Sequence, residues 1–599
     1  MRLGRRLHAA IFSAALAAAA LAGCSSSSSS SSADSADSAT STTVAVQSAK
    51  DVLAADKTVH SAAATDSSTA VAITLSGSSA TSSGAGVQVD GSTVTISAAG
   101  TYRISGTLTG QIVVDAKDAT VVLILDGAHI TSSTTAAIAA TAADQLDVVL
   151  ADGSTNTLTD ATSYAEDADV NAALFSAGDL TVTGGGALTV NGRGNDAITS
   201  KDGLLITAGT ITVVAKDDGI RGKDYLVISG GTVTVAAGGD GLKADNADNA
   251  DDADEGFIAI SGGTVTVTSG GDGADAASDL VLTGGTVQVT AGGGSAAGKP
   301  AGDTSAKGLK SGVITVLEGG TATVDAADDA LHSNGVVRLS GATVTAASGD
   351  DGVHADQTLQ IDSGKLTVTK SDEGIESANI LVKGGITAIT SSDDGLNASG
   401  DSADSGDQGG GPGGGPGGGE EVGDFTAVIS GGTLIINAEG DGLDSNGTAT
   451  ITGGTVVVNG PTQGGNGALD VNGTFTISGG VLVAAGSSGM AVAPGTDSAQ
   501  GWLSATLGST VAAGTTLQVT DSSGKLLATF VTSKDMQNIV YSSAQITSGS
   551  TYSVYSGGTA SGSSTGGLAA SGSLGKATKL ATVTAGDAPA GGGFGRGGR

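Results

Sequence analysis

The stretch DDGIRGKDYLVISGGTVTVAAGGDGLKAD at 217–245 decides the fold. It contains one full repeat and the start of the next. An acidic pair and glycine lead into G-I-R-G. An aliphatic run, Tyr225–Ile228, follows, then an S-G-G turn, then T-V-T-V, after which G-D-G-L-K-A begins again. Counting from Asp196, the acidic position returns at Asp218 and Asp240, then at Asp329, Asp351, Glu373 and Asp394, and beyond an insertion at Asp441. The spacing is 22, 22, then 22, 22 and 21 residues. Short β pieces that return to the same place at this period are too far apart for hairpins. They predict three parallel faces whose successive coils stack about 4.8 Å apart. The fold class read from this is all-β, a right-handed parallel β-helix of about 22 residues per coil, with an N-terminal cap and a small C-terminal β module.

The alignment gives each column a direction. Two residues after the acidic position stand Ile198, Ile220, Leu242, Leu309, Leu331, Val353, Ile375, Leu396 and Leu443, which predicts an inward aliphatic ladder. Two further on, Ser200, Gly222, Ala244, Ser311 and Ser333 begin a small inward column. The residue between them points out, by the period-two rule. That outward column reads Thr199, Arg221, Lys243, Lys310, His332, His354, Glu376, Asn397 and Asp444. Two of the five histidines fall on adjacent rungs of it.

The rest of the chain divides around this repeat. Arg2, Arg5 and Arg6 precede an apolar run, Ala9 to Ala20, and L-A-G-C ends at Cys24, the lone cysteine. Residues 1–23 therefore read as a lipoprotein signal peptide, with Cys24 as the lipidation site and 24–68 as a disordered Ser/Ala/Asp/Thr tether. The cap and first coils are expected over 70–190, within a β-helix of 70–500. A C-terminal β module is expected over 501–560, with a hairpin turn at Ser522–Lys525, and a disordered Gly/Arg-rich tail over 561–599. Insertions at 245–256 and 399–423 both follow the turn piece and should leave from one edge. That edge either flanks a binding face or merely tolerates insertion. One cysteine excludes a disulfide framework and a thiolate metal site. With 60 acidic against 26 basic residues and a formal charge of −34, nucleic acid is excluded as a partner, since no basic stripe exists to meet phosphates.

The chemistry lies in the columns. Stacked carboxylates about 4.8 Å apart repel by roughly 0.9 kcal/mol per pair in water and by a few kcal/mol near a surface. Asp-Gly is a common turn, which explains any single copy. A ladder doubled by Asp217, Asp328, Asp350, Asp372 and Asp393 invites bound cations. Oxygen donors point to calcium rather than zinc or copper. The candidate metal ligands are Asp217, Asp218, Asp240, Asp328, Asp329, Asp350, Asp351, Asp372, Glu373, Asp393 and Asp394. The candidate ligand-binding residues are Arg221, Lys243, Lys310, His332, His354 and Glu376. No H-E-x-x-H or P-loop is present, so no residue is assigned to catalysis. In a lyase, Arg221, Lys243, Lys310 and Arg338 would be the bases and His332 or His354 their assistants. Otherwise each is a solvated rung.

Three segments carry a family resemblance: VTISAAGTYRISGTLTGQIVVDA at 94–116 with VVLILDGAHITSS at 121–133, the DDG-I/L and SGGTVTV coils, and GMAVAP at 489–494 with GTTLQVTDSSGKLLATF at 514–530. The chain resembles the bacterial carbohydrate-binding domain-containing family, whose fold is a polysaccharide-lyase-like parallel β-helix. The resemblance implies binding of plant-type polysaccharide, including acidic pectin-like chains, and calcium on β-helix turn carboxylates. Trp502 lies outside the coils, and few rings besides Tyr225, Phe257 and Phe425 are available to stack on sugars. That scarcity favours an acidic, calcium-bridged glycan over neutral cellulose. The expectation is a monomeric lipoprotein on the extracytoplasmic face of the cell membrane, touching the membrane only through its anchor and binding acidic polysaccharide without catalysis. The alternatives are a calcium-dependent polysaccharide lyase and a structural surface adhesin.

Overall fold

The computed structural model describes residues 45–246, 254–302, 304–400 and 422–589. The Cys24 anchor and the signal peptide lie outside these residues, as does most of the 399–423 insertion. The described chain is nearly all β, with one short helix, Ala49–Ala55, and one long sheet in which parallel pairs dominate. Among the described residues no helix is long and apolar enough to cross a membrane.

Each repeat supplies three strands, and each strand pairs in parallel with its counterpart one repeat later. The short strand Ile220–Gly222 pairs with Leu242–Ala244, the aliphatic strand Tyr225–Ile228 with Phe257–Ile260, and the T-V-T-V strand Thr232–Ala237 with Thr264–Ser269. The register is equivalent-on-equivalent: Val233 over Val265, Val235 over Val267. This keeps every aliphatic residue in the interior, because a slip of one would turn the whole set outward. Ile198, Ile220, Leu396 and Leu443 are fully buried, as are Ser200, Ser311, Ser333 and Ser445 behind them. Removing each such aliphatic side chain from water contributes about 1.5–3 kcal/mol before chain entropy is counted. The S-G-G turn accepts only glycine at its third position. Gly263 has φ +80°, and a Cβ there would sit 2.6 Å from the Gly231 carbonyl oxygen of the repeat below.

The cap begins with Val71–Gly77, which pairs in parallel with Gly100–Thr109, and with a hairpin of Val87–Asp90 and Thr93–Ile96. The strand Thr120–Thr131 then serves two faces at once, pairing with Gln145–Leu150 through its first half and with Thr155–Thr159 through its second. At the other end Val481–Gly486 turns the pairing antiparallel against Met536–Ser542, which also pairs with Trp502–Val511. A separate six-stranded antiparallel sheet follows.

Two expected boundaries move. Residues 45–68 are not a disordered tether. The helix Ala49–Ala55, capped by the Ser48 hydroxyl accepting from the Asp51 N–H, buries Ala49 and Val52 among Val281, Ile314, Val316 and Val336. Lys57 then pairs with Asp224, with Glu255 at 2.9 Å and with Asp202 at 3.2 Å. Downstream, the Ala63 N–H donates to Asp147 at 2.5 Å. This strap covers the aliphatic flank, so Tyr225 and Phe257, stacked at 5.3 Å, are about 1% exposed and unavailable to sugars. Trp502 is likewise buried, its indole N–H donating to the Gly495 carbonyl. The C-terminal module also runs past residue 560. Thr559–Thr565, Leu568–Ser573 and Thr578–Thr584 complete its sheet around Leu517, Phe530, Tyr552 and Val554, so 561–584 is no tail. The hairpin expected at Ser522–Lys525 does join Thr516–Asp521 to Leu526–Val531.

Candidate functional site

The short strands place one outward residue on every repeat, and the register joins them without a break. Thr199 lies beside Arg221, then Lys243, Asp275, Lys310, His332, His354, Glu376, Asn397, Asp444 and Asp470. The candidate ligand-binding residues Arg221, Lys243, Lys310, His332, His354 and Glu376 therefore share one ladder. Sequence spacing hid Asp272 and Asp275, because insertions lengthen that repeat. The signal was present in GDGADA at 271–276, which keeps the turn with alanine in both inward places. The strands Leu242–Ala244 and Leu396–Ala398 precede the two insertions and lie in this column, so both insertions leave from it.

Beside the ladder runs the acidic turn column, and its aspartates have a structural task. The carboxylate of one repeat accepts the N–H of the equivalent residue in the next: Asp240 N–H to Asp218 at 2.9 Å, Asp272 N–H to Asp240 at 2.8 Å, Asp351 N–H to Asp329 at 3.1 Å, Asp441 N–H to Asp394 at 2.6 Å. Buried N–H groups need such partners.

From Arg221 to His354 the second carboxylate oxygen meets a cation of the chain itself. Lys243 spans Asp240 at 2.6 Å and Asp218 at 3.3 Å. Lys310 spans Asp275 at 3.0 Å and Asp272 at 3.1 Å. Lys307, which the sequence reading passed over, binds Asp329 at 2.5 Å and Asp328 at 3.2 Å. Arg221 donates to Asp245 at 3.1 Å, and Lys299 pairs with Asp350. Burial alone would lower the Lys243 ammonium; its hydrogen bond to Asp240 and the Asp218 charge outweigh this and raise it. Asp329 is also buried, yet His332 and Lys307 hold its carboxyl well below the usual range. The repulsion that seemed to call for bound cations at Asp218, Asp240, Asp328 and Asp329 is thus met by lysines. Asp217 is exposed at the rim of this stretch.

From Glu373 to Asp444 no lysine or arginine is paired with the column among the described residues. Burial, with Glu376 and Asp351 nearby, pushes Glu373 up to about 8. Burial and neighbouring carboxylates push Asp394 to about 6, Asp441 to about 7 and Asp444 to about 8. Asn397 stands among them, 8% exposed. Its amide N–H donates to Glu373 at 2.8 Å, while its buried oxygen has no hydrogen-bond donor. Asp372 and Asp393 are exposed on the rim.

Known proteins bear on this surface. Residues 90–352 match the family of carbohydrate-binding domain-containing proteins. The family resemblance read at 94–116 and 121–133 is thereby shown, while the segments at 489–494 and 514–530 lie beyond the match. A 122-residue stretch is 43% identical to a carbohydrate-binding domain-containing protein of Acetivibrio thermocellus, covering 19% of this chain and 43% of that relative. The chain thus spans less than half of that relative's length. A solved structure, described as the polysaccharide lyase-like protein from C. thermocellum in a gadolinium derivative, aligns at 34% identity over 37% of this chain and 92% of that one, with a TM-score of 0.36. The matched domain includes Arg221, Lys243, Lys310 and His332. It stops at Gly352, short of the uncompensated carboxylates.

Proposed function

We propose that the repeats wind as a right-handed parallel β-helix whose outward column binds extended acidic polysaccharide through calcium, without cleaving it, on a cell-surface lipoprotein anchored at Cys24. The observation that carries this reading is the carboxylate patch from Glu373 to Asp444, packed to the point that its acids resist ionising, with the Asn397 oxygen aimed among them. Oxygen donors suit calcium, which takes six to eight such ligands. Glu373, Asp394, Asp441, Asp444 and Asn397 are the donors, and Asp372 and Asp393 are placed to add to them. A calcium ion so held keeps open positions for the carboxylates of a uronate chain lying along the column.

The stretch from Arg221 to His354 complements this patch. Its cations are tied to aspartates, so the surface there is less negative than the patch and offers fork and ammonium donors to sugar hydroxyls. A lysine or arginine abstracts a proton only in its unprotonated form. The ion pairs hold Arg221, Lys243 and Lys310 protonated, which favours binding over lyase chemistry.

The test is retention of residues 45–599 on polygalacturonate with calcium and with chelator, following ultraviolet absorbance for unsaturated product. Calcium-dependent retention with flat absorbance is expected. Rising absorbance would make the protein a lyase, and equal retention in chelator would remove calcium from the account.

A further inference from the structure

We propose that Asp351, His354 and Glu376 form a separate three-donor site for a divalent transition-metal ion of the zinc class. The strand Val353–Lys370 points Val353 and Ala355 inward and His354 outward, and the register sets His354 beside Glu376 of the next repeat. Asp351 sits one turn residue before Gly352, fixed by its N–H bond to Asp329. Three donor atoms converge as a result. His354 Nδ1 is 3.0 Å from Asp351 Oδ2 and 3.1 Å from Glu376 Oε2. All three donor atoms lie within 4.8 Å of one another. Ligands around a tetrahedral ion with bonds of about 2.1 Å stand about 3.4 Å apart, so the two contacts of His354 would open by a few tenths of an ångström on binding.

The surrounding contacts orient the donors as they do in metal sites. The other ring nitrogen of His354, Nε2, faces Asp356 Oδ1 at 3.2 Å. A proton on Nε2 donated to Asp356 leaves the Nδ1 lone pair facing Asp351 and Glu376, the carboxylate–histidine arrangement that fixes the ligating tautomer. Glu376 is held in turn by the Ser399 hydroxyl at 2.5 Å. The His332 ring stacks on His354 with centroids 5.1 Å apart and planes 11° from parallel, so the imidazole cannot swing away. Every atom facing either nitrogen of His354 is a carboxylate oxygen, so the ring is doubly protonated without an ion and becomes a metal ligand when an ion takes the place of the Nδ1 proton. Among the described residues no lysine or arginine forms an ion pair with these three. An imidazole donor selects a borderline transition ion over calcium. The site is therefore distinct in chemistry from the oxygen-only patch, and it does not rest on the glycan-binding reading.

Zinc titration of the chelator-treated full chain, with calcium in large excess, tests the site. One zinc per chain is expected to remain bound in excess calcium. His354→Gln and Glu376→Gln should each weaken zinc at least ~10-fold, and Asp90→Asn, on the exposed cap hairpin, should leave it unchanged. Cobalt(II) bound to the unmodified chain should show ligand-field bands with a nitrogen donor and a paramagnetically shifted His354 ring, a readout that needs no variant to fold. Zinc lost to calcium at equal concentration, binding undiminished in a folded His354→Gln chain, or a cobalt spectrum of oxygen ligands alone would overturn the proposal.

Discussion

The two halves of the outward column share a backbone and differ in charge. Between Arg221 and His354, Asp218, Asp240 and Asp329 each give one oxygen to the N–H of the next repeat and the other to a lysine or histidine. Between Glu373 and Asp444 the N–H bonds continue, as at Asp441 and Asp394, but the cations are gone and the acids are pushed up to between about 6 and about 8. Identical stacking therefore tolerates opposite electrostatics. The ladder is held by its interior and its N–H bonds, which leaves the outward residues free to carry function.

Substitutions inside should affect both halves alike. Ile220→Ala and Leu443→Ala should each cost about 3 kcal/mol in denaturant unfolding, since both side chains are fully buried in the same column. A large difference between the two would mean that the halves do not share one framework. Outside, the signs should part. Lys243→Met strands Asp218 and Asp240 without their cation and should destabilise by about 2 kcal/mol at neutral pH. Asp444→Asn relieves repulsion and should stabilise the calcium-free chain by about 1 kcal/mol, while lowering the rise in melting temperature that calcium gives.

The pH response sharpens the contrast. Carboxyls raised in the folded state contribute stability that is complete below their unfolded values near 4 and is lost as pH rises through the folded ones. The half containing Glu373, Asp441 and Asp444 should accordingly lose hydrogen-exchange protection from pH 5 to pH 8 without calcium. The half around Lys243 should lose less, because Lys243 and Lys310 counter the burial that raises Asp218 and Asp275. Calcium should abolish the slope. The smallest effect is expected at the strap: Lys57→Met should expose residues 45–68 to protease about tenfold more readily, with the melting temperature nearly unchanged.

Much of this was legible in the sequence because a stacked repeat turns linear spacing into geometry. DDGIRG and GDGLKA, one period apart, had to place Ile220 over Leu242 and Arg221 beside Lys243. The reading failed where composition misled it. The Ser/Ala/Asp-rich segment 45–68 looked structureless, but Val52 and Lys57 find partners on the flank of distant repeats. The Gly/Ser stretch 561–573 forms strands because sheet pairing supplies what its side chains lack. Asp272 and Asp275 were missed where insertions broke the count.

The sequence alone determined the period and the inward and outward columns, since each follows from which residue types recur at which interval, and it carried the family resemblance of residues 90–352. Only the tertiary structure decided the charge state of the column. Whether an aspartate meets Lys307, the Ala63 N–H or another carboxylate depends on chain tens to hundreds of residues away. Coulomb and desolvation energies depend on distance and burial through space, which linear spacing does not record.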